Sequence, residues 1–292
     1  MDGLAIAGLR PFRGSALNAS GSPAPLPEFA AAPHAPLLRS DTGGVAFLTL
    51  NRPRQYNALS DAVLDALHAQ LDAIGADRAV RVVVIAGSGK AFSAGHDLKE
   101  MQAGEQGGGA DAVARLFASC SALMLKIAHL PQPVIAEVNG MATAAGCQLV
   151  AQCDLAISAD HATFAVSGVN LGLFCSTPAV ALSRAISRKR AAEMLFTGEF
   201  IDAQTALAWG LVNRVVPAAA LREATLALCA TLAAKPFDAL AIGKALFYRQ
   251  LDAGIDAAYR DASATIAENF ALPSAREGVD AFLNKRKPSW PE

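Results

Sequence analysis

The sequence predicts an α/β fold: a largely parallel sheet with crossover helices, followed by an almost wholly helical C-terminal part. Three observations lead to it. Short strand-like runs alternate with stretches of helical periodicity between Val45 and Ala159, the rhythm that parallel strands joined by crossovers require. One of those runs, Val80 to Ala86 (VRVVVIA), is β-branched and continuously apolar in character, as befits a strand covered on both faces. Beyond Pro178 the pattern turns helical over Ala179 to Leu195, Asp202 to Trp209, Leu221 to Ala234 and Phe237 to Phe270.

In chain order, residues 1–36 are rich in Ala, Pro, Gly and Ser without sustained periodicity, and Gly21-Ser22-Pro23-Ala24-Pro25 would break either regular element. We read them as a flexible arm. The α/β core is placed at 37–215 and the helical region at 216–292. Val45 to Leu50 (VAFLTL) is the first expected strand, and Asn51-Arg52-Pro53-Arg54 after it is a loop. Ser60 is placed as an N-cap, because Val63, Leu64, Leu67, Leu71 and Ile74 follow it at helical spacing. Val134 to Val138 and Leu155 to Ala159 are further short strands, each beside a helical stretch. No internal repeat is apparent.

Composition narrows the function. The 292 residues are 53% hydrophobic and only 17% charged, an apolar excess that suits burial between subunits. A net charge of -1 argues against a general polyanion binder, so no nucleic-acid partner is expected. The five cysteines are odd in number and lack CxxC spacing, which points to reduced thiols rather than disulfides or zinc. His34, His68, His129 and His161 form no ligand spacing either, so no metal is expected. No apolar run reaches the roughly 18 residues of a membrane span, and no secretory h-region precedes the fold. The expected location is cytoplasmic, with the mitochondrial matrix as the alternative.

Two segments stand out for chemistry. Gly87-Ser88-Gly89-Lys90-Ala91-Phe92-Ser93-Ala94-Gly95-His96-Asp97-Leu98 follows a strand and opens a helix. Small residues there let the backbone approach a ligand, and free N–H groups at a helix start attract an anion or a polarised carbonyl oxygen. Asn139-Gly140-Met141-Ala142-Thr143-Ala144-Ala145-Gly146-Cys147-Gln148 repeats the arrangement. Two donors converging from such loops would form an oxyanion hole. Ordinary Gly-rich turns and close helix–strand packing explain the same small residues.

Together these segments resemble the crotonase (enoyl-CoA hydratase/isomerase) superfamily. The similarity is carried by LNRPRQYNALS (Leu50 to Ser60), KAFSAGHDL (Lys90 to Leu98) and NGMATAAGCQLVAQCDLAIS (Asn139 to Ser158). It continues through FAVSGVNLGLF (Phe164 to Phe174), LFTGEFIDAQTALAWGLVNRVV (Leu195 to Val216) and FLNKRKPSW (Phe282 to Trp290). Within the superfamily, ATAAGCQLVA and GVNLGLFCSTP look like the enoyl-CoA hydratase domain-containing protein 3 group. The resemblance implies a β-spiral core with a C-terminal helical trimerisation region, assembled as a homotrimer or a dimer of trimers. It implies an acyl-CoA thioester as substrate or ligand, with no permanently bound cofactor. The oxyanion-hole donors would be the backbone N–H groups of His96 and Ala145. Ala94, Asp97 and Leu98 would lie by the CoA adenine and Arg54 near its phosphates. Phe282 and Lys285 would form a C-terminal pair reaching CoA, often from a neighbouring subunit. For Arg54 and Lys285 a solvated surface cation is the competing reading.

The chain departs from a hydratase at both catalytic acids. Hydration of a 2-enoyl thioester needs a base for water and an acid for C2, supplied in the family by two glutamates. Here those positions hold Gln148 and Gly168. An amide cannot exchange protons usefully near neutral pH, and glycine offers no side chain. Ser176 stands where dienoyl-CoA isomerases carry an aspartate, and with Asn170 and Cys175 it is expected to line the acyl site. Glu137 and Glu193 match no catalytic position and are read as structural. His96 after the SAG turn also resembles the methylmalonyl-CoA decarboxylase branch, although that branch carries a tyrosine at the Cys175 position. The Gly-rich stretch Met101 to Asp111 is read as a mobile lid.

Overall fold

The computed structural model describes residues 35–291; the arm expected at 1–36 lies, up to residue 34, outside them. The chain alternates between two sheets. The strands are β1 (Leu37–Thr42), β2 (Val45–Leu50), β3 (Val82–Gly87), β4 (Ala91–Ser93), β5 (Val134–Val138), β6 (Met141–Thr143), β7 (Leu155–Ala159), β8 (Thr163–Ala165), β9 (Ile201–Asp202) and β10 (Arg214–Val216). The larger sheet runs β1-β2-β3-β5-β7-β10 and the smaller β4-β6-β8-β9. Each coil of chain therefore places one strand in each sheet: β3 then β4, β5 then β6, β7 then β8. The pairings β2–β3, β3–β5, β5–β7, β7–β10, β4–β6 and β6–β8 are parallel, and only β1–β2 and β8–β9 are antiparallel.

The central strands are apolar because both faces of the large sheet are covered. Val83, Ile85, Val134 and Ala136 face a core shared with helices α1 (Asp61–Gly75), α2 (Leu98–His129) and α3 (Ala145–Gln152), whose Leu64, Leu67, Leu71, Leu123, Ile127 and Leu149 are fully buried. Phe47, Val82, Val84 and Ile135 point the other way, onto Cys229 of helix α7 (Leu221–Ala233). Ser60 caps α1 as expected, its hydroxyl accepting from the Val63 N–H at 3.3 Å.

Several boundaries differ from the sequence expectation. β1 was not anticipated: LLRSDT mixes polar and apolar residues, as an edge strand can, and it reaches β2 through Gly43 and Gly44, both at positive φ. β3 begins at Val82 because the Val80 N–H closes a turn onto Asp77 O. The helix expected over Ala179 to Leu195 is two, α4 (Ser176–Ala185) and α5 (Arg188–Thr197), broken where Ile186 and Ser187 turn extended. After α6 (Ala203–Trp209), the helix expected over Phe237 to Phe270 divides into α8 (Phe237–Leu251) and α9 (Ile255–Ala271), and α10 (Pro273–Leu283) follows. Met101 to Asp111 is helical, within α2, and only Gly109 (φ 60°, ψ -153°) leaves helical geometry. By length and composition α2 could cross a bilayer, yet its Cys120, Leu123, Met124, Ile127 and Ala128 are buried in the protein.

One polar cluster ties α8 to the core. The Lys244 ammonium donates to Ile127 O at 2.8 Å, Gln132 O at 3.0 Å and Asp154 Oδ2 at 2.6 Å. Asp154 also accepts from the Tyr248 hydroxyl at 2.7 Å and from the Val134 N–H at 2.7 Å. Each group in this cluster is answered, which is the condition under which buried charge is tolerated. Burial pushes the Lys244 pKa down, and Asp154 pulls it back up.

Candidate functional site

The two small-residue bends meet. β4 pairs with β6, which brings Ala94-Gly95-His96 beside Thr143-Ala144-Ala145. A Cβ on Gly95 (φ 85°) would lie 2.9 Å from both Ala144 Cβ and Ala145 N, so only glycine permits the contact. Gly146 is pressed as closely onto the Ser93 carbonyl. Close packing therefore accounts for some of the small residues, and it is also what aligns the backbone.

The amide groups at the bends are set by local pairing. Leu59 bridges the first bend, donating to Gly95 O at 2.7 Å and accepting from Asp97 N at 3.4 Å. That parallel bridge turns the intervening His96 N–H away, and it meets no backbone or side-chain acceptor among the described residues. In the second bend Ala144 donates to Ala165 O at 3.0 Å and accepts from Gln148 N at 3.0 Å. Ala144 sits at φ 49°, ψ -121°, a conformation that costs an alanine on the order of 1–3 kcal/mol. The next N–H, Ala145 at the start of α3, has no acceptor among the described residues. Strain at Ala144 thus presents an unpaired donor at a helix N-terminus.

Behind the bends lies a scaffold that sequence reasoning missed. Asn57, only 1% exposed and at φ 54°, donates to Ser88 O and Ala91 O at 2.8 Å each and accepts from the Arg52 N–H at 2.9 Å. Ser93 Oγ donates to Asn57 O at 2.9 Å and accepts from the Gly95 N–H at 3.2 Å. Arg52 pairs with Asp97 at 3.1 Å, and Asp97 caps α2 by accepting from the Lys99 N–H. The signal was present in Asn57 and Ser93, but it needed the contact between their segments to be read.

These elements enclose a cavity of about 880 Å³ whose wall includes Arg54, Ala94, His96, Asp97, Leu98, Ala145, Gly168 and Ser176. Met101, Val113, Phe117, Leu171, Leu173 and Phe174 supply apolar lining, joined by Cys175 and Thr177. Asn170, expected to line the site, instead turns its amide to Gly198 O at 3.3 Å. Gln148 lies one turn into α3, behind the cavity wall rather than on it; it is 3% exposed, and its Oε1 finds no partner among the described residues. Phe282 and Lys285 are not on this wall: Phe282 is 82% exposed and borders a separate groove with Trp290.

At Gly168 the backbone leaves no room for a side chain. A Cβ there would sit 2.6 Å from Leu173 O and 2.7 Å from Cys175 Sγ. The Gly168 N–H donates to that sulfur at 3.3 Å. Burial raises the Cys175 thiol pKa, which the Gly168 N–H partly offsets; neighbouring Cys147 is pushed up to about 12 by burial. Both are protonated thiols near neutral pH. Burial also lowers the His96 pKa, against the Leu59 carbonyl and Asp61, so its ring is neutral. Glu137 pairs with Arg222 at 3.0 Å on the α7 side of the sheet, and Glu193 pairs with Arg190 at 3.4 Å; neither reaches the cavity wall.

Comparison with known proteins places this architecture. Residues 40–292 match the family model described as enoyl-CoA hydratase/isomerase. The mitochondrial enoyl-CoA hydratase domain-containing protein 3 of Homo sapiens is 47% identical over 247 residues, covering 85% of this chain and 80% of that protein. A solved enoyl-CoA hydratase from Mycobacterium smegmatis superposes with TM-score 0.85 at 56% identity, covering 87% of this chain and 98% of that one. The human domain-containing protein 3 structure gives TM-score 0.84 at 46% identity, covering 87% of this chain and all of that one (100%). With its spiral core, its helical C-terminal region and this similarity along most of its length, the chain belongs to the enoyl-CoA hydratase/isomerase family of the crotonase superfamily, close to enoyl-CoA hydratase domain-containing protein 3.

Proposed function

We propose that the chain binds an acyl-CoA thioester and polarises its carbonyl with the His96 and Ala145 N–H groups, while lacking the acid–base pair for efficient hydration. The observation that carries this is the contact of the two bends on one cavity wall, each with an amide that no other group uses. Fixed N–H donors stabilise a developing oxyanion, and removing one typically costs about 2.7–4 kcal/mol of transition-state stabilisation. Proton transfer is the missing part. Gln148 and Gly168 supply no titrating group, and each absent acid or base is worth about 10²–10⁴-fold. Gln148 and Ser176 orient water or a polar group of the substrate. Ala94, Asp97 and Leu98 hold the adenine end, and Arg54 the phosphates.

Steady-state hydration of short and medium 2-enoyl-CoAs tests the reading. Binding with turnover far below ordinary enzyme rates is the expected result; ordinary turnover that Gln148→Ala abolishes would refute it. A second reading, formation of an enolate from a malonyl-type thioester with loss of CO2, is favoured by a site that keeps its anion-stabilising amides and dispenses with acids. CO2 release from methylmalonyl-CoA would support it and a flat trace would remove it. A CoA-binding subunit without turnover is the limiting case.

Assembly as a homotrimer or dimer of trimers belongs to the same proposal. Exposed Phe247, Ile255, Tyr259, Ile266, Phe270 and Phe282 on α8, α9 and α10 support it, since so many large apolar side chains exposed on three successive helices suit burial between subunits. Phe282 and Lys285 then meet the CoA of a neighbouring subunit. The vertebrate relatives are named mitochondrial, so the matrix is the location with support; the cytoplasmic expectation has none.

A further inference from the structure

Beyond α10 the chain folds back along that helix and is fastened to it. The Arg286 guanidinium spans the Glu277 carboxylate, Nη1 donating to Oε1 at 2.6 Å and Nη2 to Oε2 at 2.8 Å. The same Nη2 donates to Asp280 Oδ2 at 2.5 Å. Further on, the Ser289 N–H donates to Glu277 Oε1 at 2.6 Å. Trp290 completes the strap. Its Nε1 donates to Ala234 O at 2.8 Å, and its ring lies so close to Gly278 that a Cβ there would stand 3.3 Å from it.

What the strap holds is exposed. Phe282 is 82% exposed, and the side chains of Arg286 and Glu277 are themselves 41% and 21% exposed, so the fastening adds little to stability. It does hold Lys285 at φ 53°, a left-handed turn that usually takes Gly or Asn. That turn ends α10, the Lys285 N–H donating to Phe282 O at 3.2 Å and the Arg286 N–H to Ala281 O at 2.9 Å. A two-point guanidinium–carboxylate pair fixes direction as well as distance, and so keeps a lysine in a conformation that its own side chain disfavours. The Phe282 ring and the Lys285 ammonium are thereby set on one stiff, solvent-facing platform. An aromatic face stacks on a nucleobase, and an ammonium pairs with phosphate.

We infer that Glu277, Arg286 and Trp290 are positioning residues, a strap that preorganises Phe282 and Lys285 for the nucleotide end of an acyl-CoA. The inference rests on the acyl-CoA reading and on the assembly that brings this pair to a neighbouring site. It adds three residues which act through the pair. Without the strap, Phe282 and Lys285 would have to be ordered at each binding event, and that ordering weakens affinity.

Calorimetric titration of the full chain with butyryl-CoA and with butyryl-pantetheine, which lacks the nucleotide and its phosphates, tests it. The native chain binds butyryl-CoA the more tightly. Arg286→Ala weakens butyryl-CoA roughly tenfold, the scale of ordering two side chains anew, and leaves butyryl-pantetheine unchanged. Arg286→Lys weakens it as well, because lysine keeps the charge and loses the fork. Glu277→Gln and Trp290→Ala do the same, although Glu277→Gln removes a negative charge and would tighten anion binding if charge alone mattered. Each variant is checked for folding by circular dichroism and for assembly by sedimentation; should one at Arg286 fail to fold, Glu277→Gln decides. Unchanged or tighter binding of butyryl-CoA by Glu277→Gln overturns the inference and leaves acyl-CoA binding intact. So do an equal loss of both ligands in the variants, loss of assembly in Glu277→Gln, and equal binding of both ligands by the native chain. Absence of binding by either thioester removes the acyl-CoA reading and the inference together.

Discussion

Restoring the two missing glutamates one at a time should give opposite results, because the two positions differ in the space around them. At Gly168 the first side-chain atom would come within 2.6 Å of Leu173 O and 2.7 Å of Cys175 Sγ, where ordinary contact begins at 3.4 Å. The overlaps are thus 0.8 and 0.7 Å (3.4 less 2.6, 3.4 less 2.7). Leu173 O is backbone and is held in the same turn by the Leu173 N–H bond to Gly168 O at 3.0 Å, so it cannot swing aside. Relief requires the turn to open and the Gly168 N–H bond to sulfur to break. Overpacking of this kind costs about 1–3 kcal/mol, or about 2–4 °C in Tm per kcal/mol for a chain of this order of size. Gly168→Ala should show that loss in thermal unfolding, and Gly168→Glu should show it without gaining hydratase rate. Gln148→Glu changes an amide for a carboxyl of nearly the same shape, at a site 3% exposed. Burial there raises the new group's pKa toward the range useful for proton transfer. Hydration of a 2-enoyl-CoA should rise by at least about tenfold. A rate gain from Gly168→Glu, or an unchanged Tm in Gly168→Ala, would refute the argument.

Three further outcomes follow from described contacts. Lys244→Met leaves the Asp154 carboxylate buried without its cation and should cost about 3–5 kcal/mol in denaturant unfolding, whereas replacing the exposed Arg190 of the Glu193 pair should cost under about 1 kcal/mol. Asn57→Ala removes one bond to the Arg52 N–H and two to carbonyls and should cost about 2–4 kcal/mol, from roughly 1 kcal/mol per buried bond, with hydration or thioester affinity falling alongside. His96 has its folded pKa below the ordinary 6.5, so the unfolded chain binds its proton more readily. Its contribution is full above about pH 6.5 and is lost as pH falls toward the folded value; comparing the unfolding free energy of native and His96→Phe chains across that window should show the native chain losing more, and parallel curves would contradict the assignment.

The long elements were legible in the sequence because their signals are local. Ser60 and the spacing from Val63 to Ile74 were enough for α1, and the apolar runs at β2, β5 and β7 declared themselves. What escaped depends on partners distant in the chain. β4, β6, β8 and β9 are two or three residues long, too short for any periodicity, and each exists because a neighbour supplies hydrogen bonds. The breaks at Ile186–Ser187 and Asp252–Gly254 interrupt helices whose composition runs through them. Family motifs nominated Arg54, Ala94, His96, Asp97, Leu98, Ala145, Gly168 and Ser176, which the fold gathers on one wall, and also Gln148, Phe282 and Lys285, which it does not place there. Asn57 and Ser93 were not nominated, since their roles exist only once separate segments touch. Asn170 was misassigned because proximity in sequence does not fix which way a side chain turns.

The pairing of β4 with β6 has a wider implication. Neighbouring strands in a sheet stand about 4.8 Å apart, and here each of the two strands runs straight into one of the bends. The interval between the bends is therefore inherited from the main chain's own lattice, whatever side chains surround it. A lineage could discard its proton-carrying residues and still keep the cradle for a polarised oxygen, with new chemistry left to whichever residues later come to line it.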